Sequence, residues 1–509
     1  MRTKKSLIVV SVAAVLAIVT GVVVWLLPGD EPSAARLVDP DSDAVTQTEQ
    51  ARTVDGARTI EMALTAAPAT VEVGGRTVDT WAFNGAVPAP TIRATAGDVL
   101  RARVVNDLPE ELTIHWHGIA LRNDMDGVPD LTQDSIAPGE EFVYEFTLPD
   151  PGTYFYHPHT GTQLDRGLYG ALIVDERDAA APSADIPLLL DDWIDGTGQT
   201  PDEVLEGLTS MEGMDDGSMP GMDHGSMGGM DMSEPDPSGA TSPLGTDISD
   251  VSYPLYVING RAAEAPEVHP VSAGEQVRLR LINAASSVPF RVAFGGGEMT
   301  VVATDGFPVE PVATDTVLIG MGERYDVLVT VPGDGAFPLV AAVEGGSDQA
   351  MTVLQAGAGA LPAADVRPVQ LDGRLLTYDD LQATADVALP SEEVDRNYEM
   401  TLTGNMMSYD WGIDAPQEDG VTMPVREGER VRLTFVNDTS MWHPMHLHGH
   451  TFQLVSDEGI GPRKDTVNVA PGDSVTVEFE ADNPGQWLLH CHNTYHAEAG
   501  MQTTVSYLQ

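Results

Sequence analysis

The sequence predicts an all-β protein built from three consecutive antiparallel β-sandwich domains, and three observations lead there. Short runs such as VLRARVVN, EFVYEFTL, QVRLRLIN, YDVLVTV, RVRLTFVN and SVTVEFE alternate apolar with polar side chains. A period of two marks half-buried strands, whose successive side chains point to opposite faces. Pro-Gly and Asp-Gly turns punctuate these runs and helical periodicity is scarce. The third observation is a repeat that runs through the whole chain.

In the first block Gly97 opens GDVLRARVVN, and Asn106 and His115 follow at intervals of nine residues. The last block repeats this with Gly428, Asn437 and His446, so His117 also matches His448. The middle block has Gly274 and Asn283, but Val292 and Phe294 stand where the histidines would be. Downstream, Gly139, Gly152 and His157 share their intervals with Gly472, Gly485 and His490, while Gly322 and Gly335 of the middle block lead to Val340 and Ala342. Domains are therefore expected at 45–178, 179–362 and 363–509, each large enough for its own core.

Ahead of these blocks the chain reads MRTKK and then, from Ser6 to Leu27, 22 residues without a charge. A bilayer needs about 20 apolar residues, and basic residues ahead of the span favour a cytoplasmic N-terminus. Residues 1–35 are expected to form an apolar helix that anchors the rest of the chain on the extracytoplasmic face of the membrane. The competing reading is a signal peptide cut near Ser33 to Ala35, leaving a secreted or periplasmic protein, although the apolar run exceeds the usual ~7–15 residues.

Ten of the thirteen histidines fall in HWHG, YHPH, HPMHLH and HCHNTYHAEAGM, leaving out His224, His269 and His450. In the last motif the only cysteine, Cys491, lies between His490 and His492, followed by His496 and Met501. On a strand, His490 and His492 share one face and Cys491 the other. Thiolate, imidazole and a distant thioether are the ligands of a blue-copper electron-transfer site, and paired imidazoles suit a second copper centre behind it. Opposite His443, Cys491, His496 and Met501, the first block carries Leu112, Pro158, Gln163 and Leu168, so only the third block can hold a blue site.

Residues 210–232 contain Met211, Met214, Met219, Met222, Met227, Met230 and Met232 among glycine, serine and acids, with His224 between them. Such a stretch cannot bury a core and is expected to be a mobile insertion. Thioethers select Cu(I), which makes it a candidate copper-collecting tract; a flexible linker of biased composition is the alternative. With 78 acidic against 26 basic side chains the formal charge is −52, which excludes nucleic-acid binding. One cysteine permits no intrachain disulfide.

Together these motifs resemble those of the three-domain multicopper oxidases, the laccase-like class, over about residues 50–509. The resemblance implies three cupredoxin-like Greek-key domains and four copper ions, with a trinuclear cluster between the first and third. It implies that His443, Cys491, His496 and Met501 bind type 1 copper, that His115 and His446 bind type 2, and that His117, His157 and His492, with His159, His448 and His490, bind the type 3 pair. It further implies four one-electron oxidations coupled to reduction of O2 to water. Asp126 sits where related enzymes keep a proton-donating acid; Glu498 is the second candidate, although the position after His496 is Ala497.

The methionine tract, with Asp438 and Met441 just before His443, makes the chain similar to bacterial cuprous oxidases of copper resistance, with Met406 and Met407 as further candidates for the substrate path. Cu(I) is accordingly the expected reductant. A laccase acting on phenols and aromatic amines is the alternative. A non-enzymatic copper-sequestering or envelope scaffold protein is a third reading, against which the complete ligand set argues.

Overall fold

The computed structural model describes residues 36–177, 184–210, 242–456 and 459–509. The expected apolar helix within 1–35 and all seven methionines of the tract lie outside the described residues. Within them the strands form three sandwiches. The first pairs two four-stranded sheets between Thr59 and Asp175, the second packs six strands on five between Ala184 and Ala356, and the third does the same between Arg396 and Tyr507, with a small two-stranded ribbon added.

The sheets are mixed, which corrects the antiparallel expectation. Thr59–Val73 runs parallel to Val99–Asn106, Ala184–Trp193 to Gln276–Asn283, and Arg396–Thr403 to Arg430–Asn437. Alternation reports which face of a strand is buried; the direction of its neighbour depends on how the chain crosses between sheets, which the pattern does not encode.

The repeated residues now have a physical reason. Gly97, Gly274 and Gly428 each turn the chain into its strand with φ of 84°, 79° and 84°, a conformation that favours glycine. The repeated asparagines are staples. Asn106 donates to the carbonyls of Glu110 and Ile136 (2.8 and 2.7 Å), Asn283 to those of Val288 and Ile319 (3.1 and 3.0 Å), and Asn437 to those of Met441 and Val469 (2.7 and 3.0 Å). Each side-chain oxygen also accepts the backbone N–H two residues on, at 3.0 Å. The staple thus ties the loop after one strand to the facing sheet, and in the outer sandwiches that loop delivers His115 and His443.

The sandwiches are joined by buried polar contacts. Arg280 of the second reaches Thr153 of the first at 2.8 Å and pairs with Asp185 and Asp326. The segment ahead of the first strand straps the outer sandwiches together: Val38 donates to the Tyr507 carbonyl at 2.9 Å, and Glu49, in the helix Asp43–Arg52, accepts from Thr147 N at 2.7 Å.

Asn283 makes three buried hydrogen bonds in the sandwich without ligand histidines, so it tests the staple apart from metal binding. Asn283→Ala should cost roughly 2–4 kcal/mol, seen as a lowered denaturant or thermal midpoint. The copper content of the folded fraction should be unchanged.

Candidate metal centre

Two strand pairs carry the histidines in the same register. His115 stands opposite His157 where His115–His117 pairs with Gly152–His157, and His446 stands opposite His490 where His443–Leu447 pairs with Gln486–Cys491. The two pairs face one another across the seam between the first and third sandwiches. There His115 stacks on His448 and His117 on His446, with ring centroids 3.7 and 3.8 Å apart. All eight histidines of the two HxH pairs per sandwich meet here.

Their hydrogen bonds set the tautomers, because a carbonyl or carboxylate oxygen can only accept. His115 and His446 form a matched pair: their Nδ1–H groups donate to the backbone carbonyls of Asp126 and Asp465, both at 2.9 Å, which leaves each Nε2 buried without a partner. His157 donates through Nδ1 to the Pro158 carbonyl at 2.8 Å, and its Nε2 is likewise unpartnered. His448 donates through Nδ1 to Asp126 Oδ2 and His490 through Nδ1 to the Cys491 carbonyl, both at 2.9 Å. Both Nε2 atoms then carry lone pairs, and they lie 3.1 Å apart, with His159 Nε2 3.4 Å from that of His490. His117 is reversed: its Nε2 faces Asp465 Oδ1 at 3.1 Å and its Nδ1 faces His492 Nε2 at 3.2 Å.

Lone pairs crowded inward in a buried space repel unless a cation lies between them. Burial, reinforced by neighbouring imidazoles, holds His117, His157, His448, His490 and His492 well below the usual histidine range, and His159 at about 3. Neutral imidazoles are the ligand form that copper requires. Three sets of histidine nitrogens converge closely enough to share an ion: His115 with His446 and His448, His115 with His117 and His157, and His159 with His448 and His490.

On the other side of the Gln486–Cys491 strand, Cys491 Sγ lies 3.7 Å from Nδ1 of both His443 and His496, and those two nitrogens are 3.1 Å apart. The outer nitrogens are engaged elsewhere: His443 Nε2 with Thr439 Oγ1 at 2.8 Å and His496 Nε2 with Asp250 Oδ2 at 2.7 Å. Met501 is buried beside this set, its N–H bound to the His496 carbonyl and its carbonyl to Cys491 N. Trp411 lies over both imidazoles, with ring centroids 4.4 Å from His496 and 5.3 Å from His443. His450, outside the ligand set, is a core histidine held by the His448 carbonyl and the Tyr507 hydroxyl.

Asp126 is at the cluster, bound to His448 through its carboxylate. Glu498 is exposed at the end of the helix Thr494–Glu498, with Asp202 as its charged neighbour. Met441 is 1% exposed and packs in the core, and its carbonyl serves the Asn437 staple. Asp438 is exposed just past the strand Arg430–Asn437, its N–H bound to the Leu402 carbonyl. Met406 packs against the core, whereas Met407 is 80% exposed.

Sequence reasoning missed Asp250 and Asp465. Asp250 had no motif to mark it, because its partner His496 is 246 residues away. Asp465 did leave a signal: Lys464 and Asp465 interrupt an otherwise strand-like stretch and both are fully buried. Burial cannot leave such charges unpaired.

Burial also pushes the free Cys491 thiol up, so it is protonated before copper arrives. Loading copper into the metal-free protein should release about one more proton per chain than loading Cys491→Ser, measured calorimetrically in buffers of different ionisation enthalpy.

Comparison with known proteins agrees with this geometry. Multicopper oxidase family models match residues 65–179, 185–359 and 393–508. The chain is 43% identical to the multicopper oxidase MmcO of Mycobacterium tuberculosis over 91% of this chain and 90% of that one. It is 30% identical to a copper resistance protein A homolog of Pseudomonas syringae pv. tomato over 88% and 92%. A crystal structure of a multi-copper oxidase from Pseudomonas thermotolerans superposes with a TM-score of 0.66 at 27% identity, over 89% of this chain and all of that one. The chain therefore belongs to the multicopper oxidase family and is a copper-dependent oxidoreductase that uses O2.

Proposed function

We propose that this oxidase turns Cu(I) into Cu(II) in copper tolerance, and that it holds four coppers. His443, Cys491 and His496, with Met501 beside them, would hold the electron-accepting ion; His115 and His446 a second; His117, His157 and His492 a third; and His159, His448 and His490 the fourth. Copper bound in these sets takes electrons singly from the reductant and supplies four of them to O2, which leaves with four protons as two waters.

The chain's own residues do the rest. The covalent run His490–Cys491–His492 joins the two ligand sets, and the hydrogen bond from His490 Nδ1 to the Cys491 carbonyl shortens that connection. Asp126 holds His448 with one carboxylate oxygen while the other has no hydrogen-bond partner, so it can carry a proton to the space the histidines enclose.

The observation that carries the cuprous reading is where the methionine tract is tethered. Its upstream end leaves the helix Pro201–Thr209, whose Asp202 lies near Glu498. Its downstream end runs to Ile248, whose carbonyl accepts from Trp442 Nε1 at 2.8 Å, and then to Asp250, which accepts from His496. The chain that follows the tract thus lies against the face that carries His496. Asp250 Oδ1 is buried and unpartnered, and burial and the nearby Asp250 raise Asp247 above the usual carboxylate range. A cation relieves that crowding of acids, and the −52 charge of the chain draws cations toward it. A place on the extracytoplasmic face, with residues 1–35 as anchor, belongs to the same reading; protection of that segment alone from protease added to intact cells would support it, and a protected catalytic portion would argue against it.

Oxygen uptake by the copper-loaded protein separates the substrates. Removing residues 210–232 should slow uptake with Cu(I) by about 10-fold or more while leaving a phenol substrate within about 2-fold. Equal losses on both, or slow tract-independent Cu(I) turnover beside fast phenol turnover, would make the protein a laccase. Asp126→Asn should slow oxygen consumption by about 100-fold, yet the blue absorbance should still bleach at the normal rate when reductant is added without oxygen.

A further inference from the structure

We propose that Arg324, in the sandwich that lacks ligand histidines, is a positioning residue for the cluster: acting through Asp465, it holds His117 with Nε2 protonated and Nδ1 turned inward. The proposal rests on copper binding by the eight-histidine cluster.

Among the described residues, His117 is the one cluster histidine whose Nε2 faces an oxygen acceptor. Asp465 is that acceptor, and each of its oxygens is engaged. Oδ1 takes His117 Nε2–H at 3.1 Å, Thr466 Oγ1–H at 2.8 Å and Arg324 Nη1 at 2.6 Å; Oδ2 takes Arg324 Nη2 at 2.6 Å. A planar guanidinium fork fixes both the position and the rotation of a carboxylate, which a point charge cannot do. With the carboxylate so turned, a bare Nε2 on His117 would set lone pair against anion, so the proton stays on Nε2.

Arg324 is fixed in turn. It is fully buried, donates through Nε to the Thr153 carbonyl of the first sandwich at 3.0 Å and through Nη1 to the Gly322 carbonyl of its own at 3.0 Å, and grips Asp465 of the third. One side chain thereby references all three sandwiches. Asp305 adds a second tie, accepting from Arg324 N at 2.8 Å and from Asp465 N and Thr466 N at 3.2 Å, while Lys464 neutralises it at 3.0 Å.

Two glycines keep the space open. A Cβ on Gly118, next to His117, would overlap Arg324 Nη2 and stand 2.7 Å from Asp465 Oδ2. A Cβ on Gly322 would come within 2.9 Å of His492 and 3.1 Å of His117. The middle sandwich therefore abuts the cluster through Gly322 and clamps it through Arg324. Asp126, the counterpart of Asp465 across the seam, has no such cation and keeps one oxygen free.

A double-mutant cycle on the full chain tests the route. Arg324→Gln and Asp465→Asn should each weaken copper binding at the cluster by about 10- to 100-fold, read by chelator competition and by loss of the near-ultraviolet band of the coupled pair. The blue absorbance of the Cys491 site should persist in both, which a general collapse would not allow. The double variant should lose no more than Asp465→Asn alone; losses that multiply would show that Arg324 does not act through Asp465 and would overturn the proposal. A second measurement needs neither variant: nitrogen-15 spectra of metal-free wild type, with His117 assigned by its loss in His117→Gln, should show Nε2 protonated and Nδ1 bare, and the opposite tautomer would overturn the proposal. Wild-type protein that binds copper only at Cys491 would overturn the cluster reading and this one with it.

Discussion

Eight neutral imidazoles aimed into one dry space at the seam between two sandwiches are the constraint on which the structure depends. Left alone, such a seam would open, because lone pairs repel and buried nitrogens lack partners. Two aspartates prevent this by crossing the seam in opposite directions. Asp126 of the first sandwich binds His115 of its own side through its carbonyl and His448 of the other through its carboxylate. Asp465 of the third binds His446 and His117 in the same way. Each aspartate therefore orients one ligand from each sandwich, and the cluster forms only when both are docked.

The two aspartates diverge in their surroundings. Burial alone would raise Asp465, but Arg324 and the bond to His117 hold it well below the usual carboxylate range, as a fixed anion. Asp126 lies without an arginine, and its second oxygen, 3.2 Å from His115 Nδ1, makes no hydrogen bond. The middle sandwich, though it carries no ligand, thus contributes the arginine that makes the two halves unequal.

A single strand then links the seam to the Cys491 side. Because side chains alternate, His490 and His492 enter the seam while Cys491 turns to the opposite side and meets His443 and His496. On that side the environment is acidic and aromatic, with Asp250, Tyr409 and Trp411 packed round His496. The chain packs an aspartate and two aromatic rings against one set of histidines and a histidine-lined space at the seam against the other.

Much of this was legible beforehand. The repeat of glycine, asparagine and histidine at fixed intervals marked three related sandwiches and showed that the middle one lacks ligands, since spacing along a strand sets which face a side chain takes. The HxH pairs and the HCH run marked nearly all the side chains that converge at the seam and around Cys491 for the same reason. What sequence could not supply depends on residues far apart in the chain: parallel strand partners, the burial of Met441, and the bonds of Asp465 to Arg324 and of Asp250 to His496, 141 and 246 residues distant. Local pattern by itself determined which residues could bind copper; only tertiary packing decided their tautomers and partners, because a hydrogen bond across a domain seam leaves no period in the sequence.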